Sequence, residues 1–264
     1  MRLRELSIIQ YQNVSNRDHL DRLWISVDSF KKQLEFMISN NFQILSINDA
    51  IDYMERKKRL RDLRPISLTF DNGYMDFYEY VVPFISRYKL PVTVLISPER
   101  VGKSVKIGGC KVFYLTWGIL RELANKNITI GAYEDYTWNI KSIPEDLFQR
   151  NIIDYKKYLE DKLGVEIKYF GMKEGVPNHK IRNLLISAGY RAFLTECPTN
   201  SRPDLYSIGR IQVDDNDFNI FLTKISRTYL FFKDRRSWKY IRKYKLDRVA
   251  HHICKTYDRI KGEK

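Results

Sequence analysis

Ile66-Ser67-Leu68-Thr69-Phe70-Asp71-Asn72-Gly73-Tyr74 is the stretch on which the reading of this chain turns. A run of strand-forming residues ends in two short polar side chains and a glycine, so a buried strand passes into a tight turn. If the strand belongs to a parallel α/β barrel, its carboxyl end lies at the mouth, where catalytic groups gather, and Asp71 and Asn72 stand there. The same residues also suit an Asx-type turn leading into a helix, with Asp71 as the cap. Spacing alone leaves both open.

Outward from this stretch, short apolar runs alternate with segments of helical period, the pattern of strand–helix repeats around a parallel sheet. The strand runs are Leu6–Gln10, Gln43–Ser46, Ile66–Phe70, Val92–Ile96, Thr129–Ala132, Lys168–Gly171, Ala192–Leu194 and Ser207–Val213. Helices are expected from Ser26 through Met37, and over Ile47–Met54, Asp76–Arg87, Thr116–Asn125, Pro144–Leu163 and His179–Ala188, where Gly189 supplies a stop. About seven repeats of this kind make a distorted (β/α) barrel. The alternation ends near Asp214-Asp215-Asn216-Asp217, which divides the chain into a barrel, 1–216, and a basic helical extension, 217–264. In the extension Phe218, Phe221, Leu222, Ile225 and Tyr229 share one helical face, expected to pack on the barrel, and Val249, Ile253, Tyr257 and Ile260 make a second stripe.

A chain of 264 residues with 44% apolar and 14% aromatic residues has ample material for a packed core. Its formal charge of +14 is unevenly placed. Residues 231–264 hold twelve Lys or Arg against four acids, a surplus of eight, whereas the other 230 residues carry six. Such a tail favours an anionic partner, a membrane surface or an acidic polymer. Trp238, Tyr240 and Tyr244 among its basic residues fit nucleic-acid stacking, but a solvated basic helix accounts for them equally, and nucleic acid is the less expected partner. Cys110, Cys197 and Cys254 are odd in number and widely spaced, which reads as free thiols. No apolar stretch is long enough for a signal peptide or a membrane span, so the expectation is a cytoplasmic protein, peripheral to the membrane if the tail docks there. No G-x-S-x-G elbow, P-loop or G-x-G-x-x-G is present.

From residue 6 to residue 213 the order of segments resembles the polysaccharide deacetylases (carbohydrate esterase family 4). Ile9–Val14 is similar to the family's opening strand, Ile25–Phe36 to its first helix, Ile66–Tyr74 to its T-F-D-D-G strand, and Ile130-Gly131-Ala132-Tyr133-Glu134-Asp135-Tyr136-Thr137-Trp138 to the segment holding its H-x-x-x-H motif. The resemblance implies hydrolysis of acetamido C–N bonds on glycans. It makes the first Asp the base, and the second Asp and both His ligands of a divalent metal, usually zinc, which polarises the acetyl carbonyl and activates water. Asp71 occupies the base position. The metal positions hold Asn72, Tyr133 and Thr137, an amide, a phenol of pKa about 10 and a hydroxyl, none of which replaces a carboxylate or imidazole at zinc near pH 7. The family's third motif aligns with Phe170-Gly171-Met172-Lys173-Glu174-Gly175, without its Arg or Pro, and Arg210 resembles an Arg in the last strand of some relatives.

Two functions follow. The first is a catalytically degenerate, glycan-binding relative, a pseudoenzyme, with Tyr74, Tyr133, Trp138 and Arg210 as substrate contacts and no metal. The second is an active deacetylase that uses Asp71 with a rearranged metal or none. For a rearranged metal, Asp71, Glu134 and Asp135 are the available oxygen ligands, although Glu134 and Asp135 read first as solvated loop acids. Tyr74, Tyr133, Tyr136 and Trp138 offer stacking faces for sugar rings, or else fill the space that the missing metal leaves. A third reading makes residues 231–264 a docking segment.

Overall fold

The computed structural model describes residues 6–16, 24–60, 64–134, 145–172, 178–195, 204–213 and 217–225. The chain divides into two compact units, 1–214 and 215–264.

The first unit is built on β1 (Ser7–Tyr11), β4 (Gln43–Leu45), β5 (Pro65–Phe70), β6 (Val92–Ile96), β9 (Ile128–Glu134), β10 (Tyr169–Met172), β11 (Ala192–Thr195), β12 (Ile208–Gly209) and β13 (Ile211–Gln212). They form one sheet in the order β12-β11-β10-β9-β6-β5-β1-β13, with β4 beside the first half of β5. Every pairing in it is parallel. The strands of such a sheet are covered on both faces, which is why they read as near-continuous apolar runs. Helices α1 (Val27–Ser39), α2 (Ile47–Met54), α3 (Val82–Arg87), α4 (Trp117–Ala124), α5 (Glu145–Leu163) and α6 (His179–Ser187) alternate with the strands. Their starts are chemically marked. The side chains of Ser26, Ser46, Thr116 and Asn178 accept from the backbone N–H three residues on, the N-cap bond that satisfies an orphan donor.

Three features depart from the expected pattern. The run 207–213 is two strands, broken at Arg210: β12 pairs with β11 and β13 with β1, so a single five-residue segment joins the two edges and closes the barrel. Asp76–Arg87 is not one α-helix. Phe77–Val81 forms a π-turn, in which the N–H of Val82 bonds to the carbonyl of Phe77, and α3 follows with Pro83 in its first turn. Proline has no N–H to extend the ordinary ladder, which accounts for the register change at this point. Finally, an antiparallel hairpin of β7 (Ser104–Ile107) and β8 (Cys110–Phe113) lies between β6 and α4, and two-residue strands β2 (Asn13–Val14) and β3 (Trp24–Ile25) pair before α1. The hairpin turn is Gly108-Gly109, both at positive φ (55° and 85°), which glycine adopts without strain.

The core has two sides. On the outer face, Tyr11 stacks on Phe70 at 5.1 Å, and Phe30, Phe77 and Phe84 complete the contacts that seat α1 and α3. On the concave face, Leu95 of β6 reaches across β9: a Cβ built on Gly131 or Gly171 would meet its Cδ atoms at 2.6 and 2.3 Å. Ile8, Leu95, Tyr133, Tyr169, Leu194 and Ile208 join there in one cluster with Ile47, Ala50, Ile51 and Met54 of α2. Arg191 ties this end together through Asp52 on the C-terminal half of α2 and Glu55 just after it, and Tyr169 Oη donates to Asn48 at 2.5 Å.

In the second unit the described helix is α7 (Phe218–Ile225), where Phe218 stacks on Phe221 at 5.9 Å. Tyr229 and the stripe Val249–Ile260 lie outside the described residues. No helix among the described residues is long and apolar enough to cross a membrane.

The packing at Leu95 yields a test. Gly171→Ala should lower stability by about 1–3 kcal/mol, the usual cost of forcing a methyl into a filled core, read as a shift in the denaturant midpoint. In a Leu95→Ala background the same substitution should cost less, because the Cδ atoms it meets are gone.

Candidate functional site

Asp71 extends the ladder of β5 by one step, its N–H bonding to the carbonyl of Tyr11 at 3.0 Å. Its side chain faces inward, where the broken closing strand delivers Arg210. Arg210 Nη1 donates to Oδ1 at 2.5 Å and Nη2 to Oδ2 at 3.0 Å, while Gln10 Nε2 donates to Oδ2 at 2.7 Å. Both charged side chains are fully buried. The guanidinium is braced by the carbonyl of Met172 and Thr69 Oγ1, each at 3.4 Å, and the backbone N–H of Arg210 bonds to the carbonyl of Thr195 at 2.7 Å. This is the two-pronged fork that the planar guanidinium makes with a carboxylate. Three N–H donors fill three of the roughly four acceptor positions of Asp71.

Asn72 and Gly73 follow with φ of 67° each. Asn is one of the few residues with a side chain that enter this left-handed region readily. Gly73 has a second reason, since a Cβ there would meet Ile96 Cδ1 at 2.4 Å. The chain is pinned in this shape by Gly73 N–H to the Asp71 carbonyl at 2.8 Å, and by Leu115 N–H to the Gly73 carbonyl at 2.8 Å. Asn72 is buried, and its Oδ1 has no hydrogen-bond partner among the described residues. Nearby, Asn13 Nδ2 donates to the buried carboxylate of Asp76 at 3.0 Å.

The remaining predicted residues divide. Tyr133 is on the concave face of β9, fully buried against Leu95 and Gly171, so its ring fills space and shows no face to solvent. Tyr74 is likewise not a sugar-stacking surface. It is buried, 5.6 Å from Trp24 and stacked on Tyr114 at 5.0 Å beneath the β7–β8 hairpin. Arg210 is committed to Asp71 and is not exposed for substrate. Glu134 is not a solvated loop acid: it ends β9, is 3% exposed, and accepts from Asn151 Nδ2 on α5 at 2.9 Å, on the opposite face of the strand from Tyr133. Asp135, Tyr136, Thr137 and Trp138 lie outside the described residues. Gln10 was not among the expected site residues, although a glutamine inside an apolar strand was a visible signal.

The donor set does not fit zinc. Asn72 offers a neutral amide oxygen, Tyr133 a fully buried phenol, and Asp71 a carboxylate already held by three N–H groups. Among the described residues no three His, Cys, Asp or Glu converge.

The sequence profile of the polysaccharide deacetylases matches residues 58–193, just over half of the chain. This chain belongs to that family. YxkH of Bacillus subtilis (strain 168), whose name places it in the same family, is 22% identical over 211 residues, 79% of this chain and 71% of that protein. The poly-beta-1,6-N-acetyl-D-glucosamine N-deacetylase of Escherichia coli K12 is 28% identical over 140 residues, half of this chain but a fifth of that protein's length. Among solved structures, IcaB from Ammonifex degensii superposes with a TM-score of 0.68 at 21% identity, covering 79% of this chain and 91% of IcaB. The Streptococcus pyogenes deacetylase PplD, solved with acetate, gives 0.68 at 17% identity, covering 80% of this chain and 93% of that one. At these identities the likeness is one of fold, and the barrel described above is the deacetylase barrel. The profile match contains Asp71, Asn72 and Tyr133 and stops short of Arg210.

Removing one member of the buried pair should be costly. Arg210→Met leaves the Asp71 carboxylate uncompensated and should cost about 3–5 kcal/mol in chemical denaturation. The double variant Arg210→Met with Asp71→Leu should recover most of that loss, because an apolar pair of similar volume needs no charge partner.

Proposed function

We propose that this chain is a glycan-binding member of the polysaccharide deacetylase family that does not hydrolyse its ligand by the metal-dependent route. The observation that carries this reading is the cage around Asp71: the residue at the base position is enclosed by Arg210 and Gln10, beside an Asn72 that supplies no charge. The ligand class comes from the relatives, whose names give them acetylated amino-sugar polymers as substrates. The mouth offers matching groups. Gln12 and Asn72 follow the carboxyl ends of the neighbouring strands β1 and β5, and both are buried. Gln12 Nε2 and Asn72 Oδ1, a donor and an acceptor, have no partner among the described residues. An acetamido group presents one C=O and one N–H, the complement of that pair, and buried polar atoms of this kind call for a partner.

Titration of the intact chain with N-acetylglucosamine oligomers should show binding without release of acetate. Asn72→Gly, which keeps the left-handed backbone, should weaken binding by about 1 kcal/mol, roughly fivefold. Protein purified without chelator should hold far less than one zinc per chain. One tightly held zinc per chain, or acetate release abolished by Asp71→Asn, would establish instead the active deacetylase.

A second reading rests on the charge of residues 231–264, with its surplus of eight. This segment docks the protein on an anionic membrane surface from the cytoplasmic side, each basic residue near the surface contributing about 1 kcal/mol at low salt. Truncation after Tyr229 should then abolish sedimentation with phosphatidylglycerol vesicles, and salt should release the intact chain. Equal retention of both forms would remove this role.

A further inference from the structure

On the flank of the barrel a cleft of about 420 Å³ lies between the 3-10 turn Pro98–Arg100 after β6, the start of α4 and the middle of α5. We infer that this cleft is a second glycan subsite, one that takes an amino-sugar unit bearing a free ammonium group. The inference rests on the glycan-binding reading above for its ligand class, and on the walls of the cleft for the rest.

Its volume falls in the range of small-molecule sites. Trp117 and Tyr158 form one wall, their rings in an edge-to-face pair at 5.5 Å, and Tyr158 is 45% exposed. Such rings meet the C–H face of a pyranose, and a cation beside them gains from the ring quadrupole. Tyr155 lines the cleft but is itself 5% exposed, and its hydroxyl completes no hydrogen bond of good geometry with a described residue. Burial, and then the carboxylates of Glu134 and Glu99, push this phenol far above its ordinary pKa, so it keeps its proton, within reach of Glu99 and Ser97.

Charge selects the ligand. Glu99 and Asp154 line the cleft, both exposed and neither in an ion pair with a described residue, against a single Lys103. The lining thus holds two acids and one base on a chain with a formal charge of +14, and Lys162 Nζ stands 5.5 Å over the Tyr158 ring, a cation already seated on one aromatic wall. Two carboxylates without a third ligand do not make a metal site, whereas one ammonium between them, next to aromatic rings, satisfies both. An N-acetylated unit is neutral and forgoes these contacts. The mouth and the flank would therefore read opposite states of the same nitrogen.

Calorimetric titration of the intact chain with fully de-N-acetylated glucosamine tetramer and with its N-acetylated counterpart separates the two sites. Glu99→Gln with Asp154→Asn changes only exposed groups and should weaken the glucosamine tetramer at least fivefold, as should Trp117→Phe to a smaller degree, with the N-acetylated tetramer unaffected. Binding of the glucosamine tetramer should also fall as salt is raised. Asn72→Gly should do the reverse, weakening the N-acetylated tetramer alone. If the double variant binds the glucosamine tetramer as the parent does, or if the parent does not bind it, the cleft assignment is wrong whatever the mouth does. If the N-acetylated tetramer alone fails to bind, the cleft assignment stands and the reading of the mouth falls.

Discussion

The ion pair between Asp71 and Arg210 is the constraint around which the barrel is arranged. A fully buried charge pair is tolerated only with excellent geometry and with its remaining polar atoms satisfied. Here the demand for good geometry shapes the backbone. The closing segment breaks between Ile208–Gly209 and Ile211–Gln212, so that Arg210 is turned inward while its neighbours pair with opposite edges of the sheet. Gln10 on β1, the carbonyl of Met172 on β10 and Thr69 on β5 supply further partners to the carboxylate and to the two Nη atoms. Strands β1, β5 and β10 and the closing segment converge on one guanidinium–carboxylate contact, so closure of the barrel and neutralisation of Asp71 go together.

Charge balance explains why this arrangement opposes a divalent ion. The Asp71 carboxylate is matched by the Arg210 guanidinium, while Asn72 and Tyr133 contribute no charge. A dication placed beside them would face a guanidinium a few ångströms away, with one carboxylate already shared. Glu134, the remaining acid on this strand, cannot help, because strand alternation turns it toward Asn151 and α5. Tyr133 instead takes up volume next to Gly131 and Gly171, the two glycines over which Leu95 lies. The interior is packed like a core at the level where the family places its ligands.

Much of the fold was legible because buried parallel strands and capped helices leave strong local marks: the run Val92–Ile96 is a strand to the residue, and Ile47–Met54 is a helix to the residue behind Ser46. The hairpin 104–113 was not read, since each strand is four residues long and its exposed side includes Cys110 and Phe113, which blurs the polar–apolar alternation. Gly108-Gly109 was the available signal. The π-turn before Pro83 has no periodic signature at all. In the site, Asp71 was visible from its strand-end position, yet the roles of Arg210 and Tyr74 were not, because each is fixed by a residue distant in sequence, Asp71 in one case and Tyr114 in the other.

The mouth gathers carboxamides around two buried acids, Asp71 and Asp76. Gln10, Gln12, Asn13 and Asn72 cluster where β1 and β5 end, and a carboxamide both donates and accepts without needing a counter-charge. Such groups recognise amides and hydroxyls through hydrogen bonds whose net worth is about 1 kcal/mol each. The substitution of Asp by Asn at position 72 relative to the family pattern is therefore more than the loss of a ligand: with Arg210 already neutralising Asp71, a second carboxylate would itself be an uncompensated buried charge.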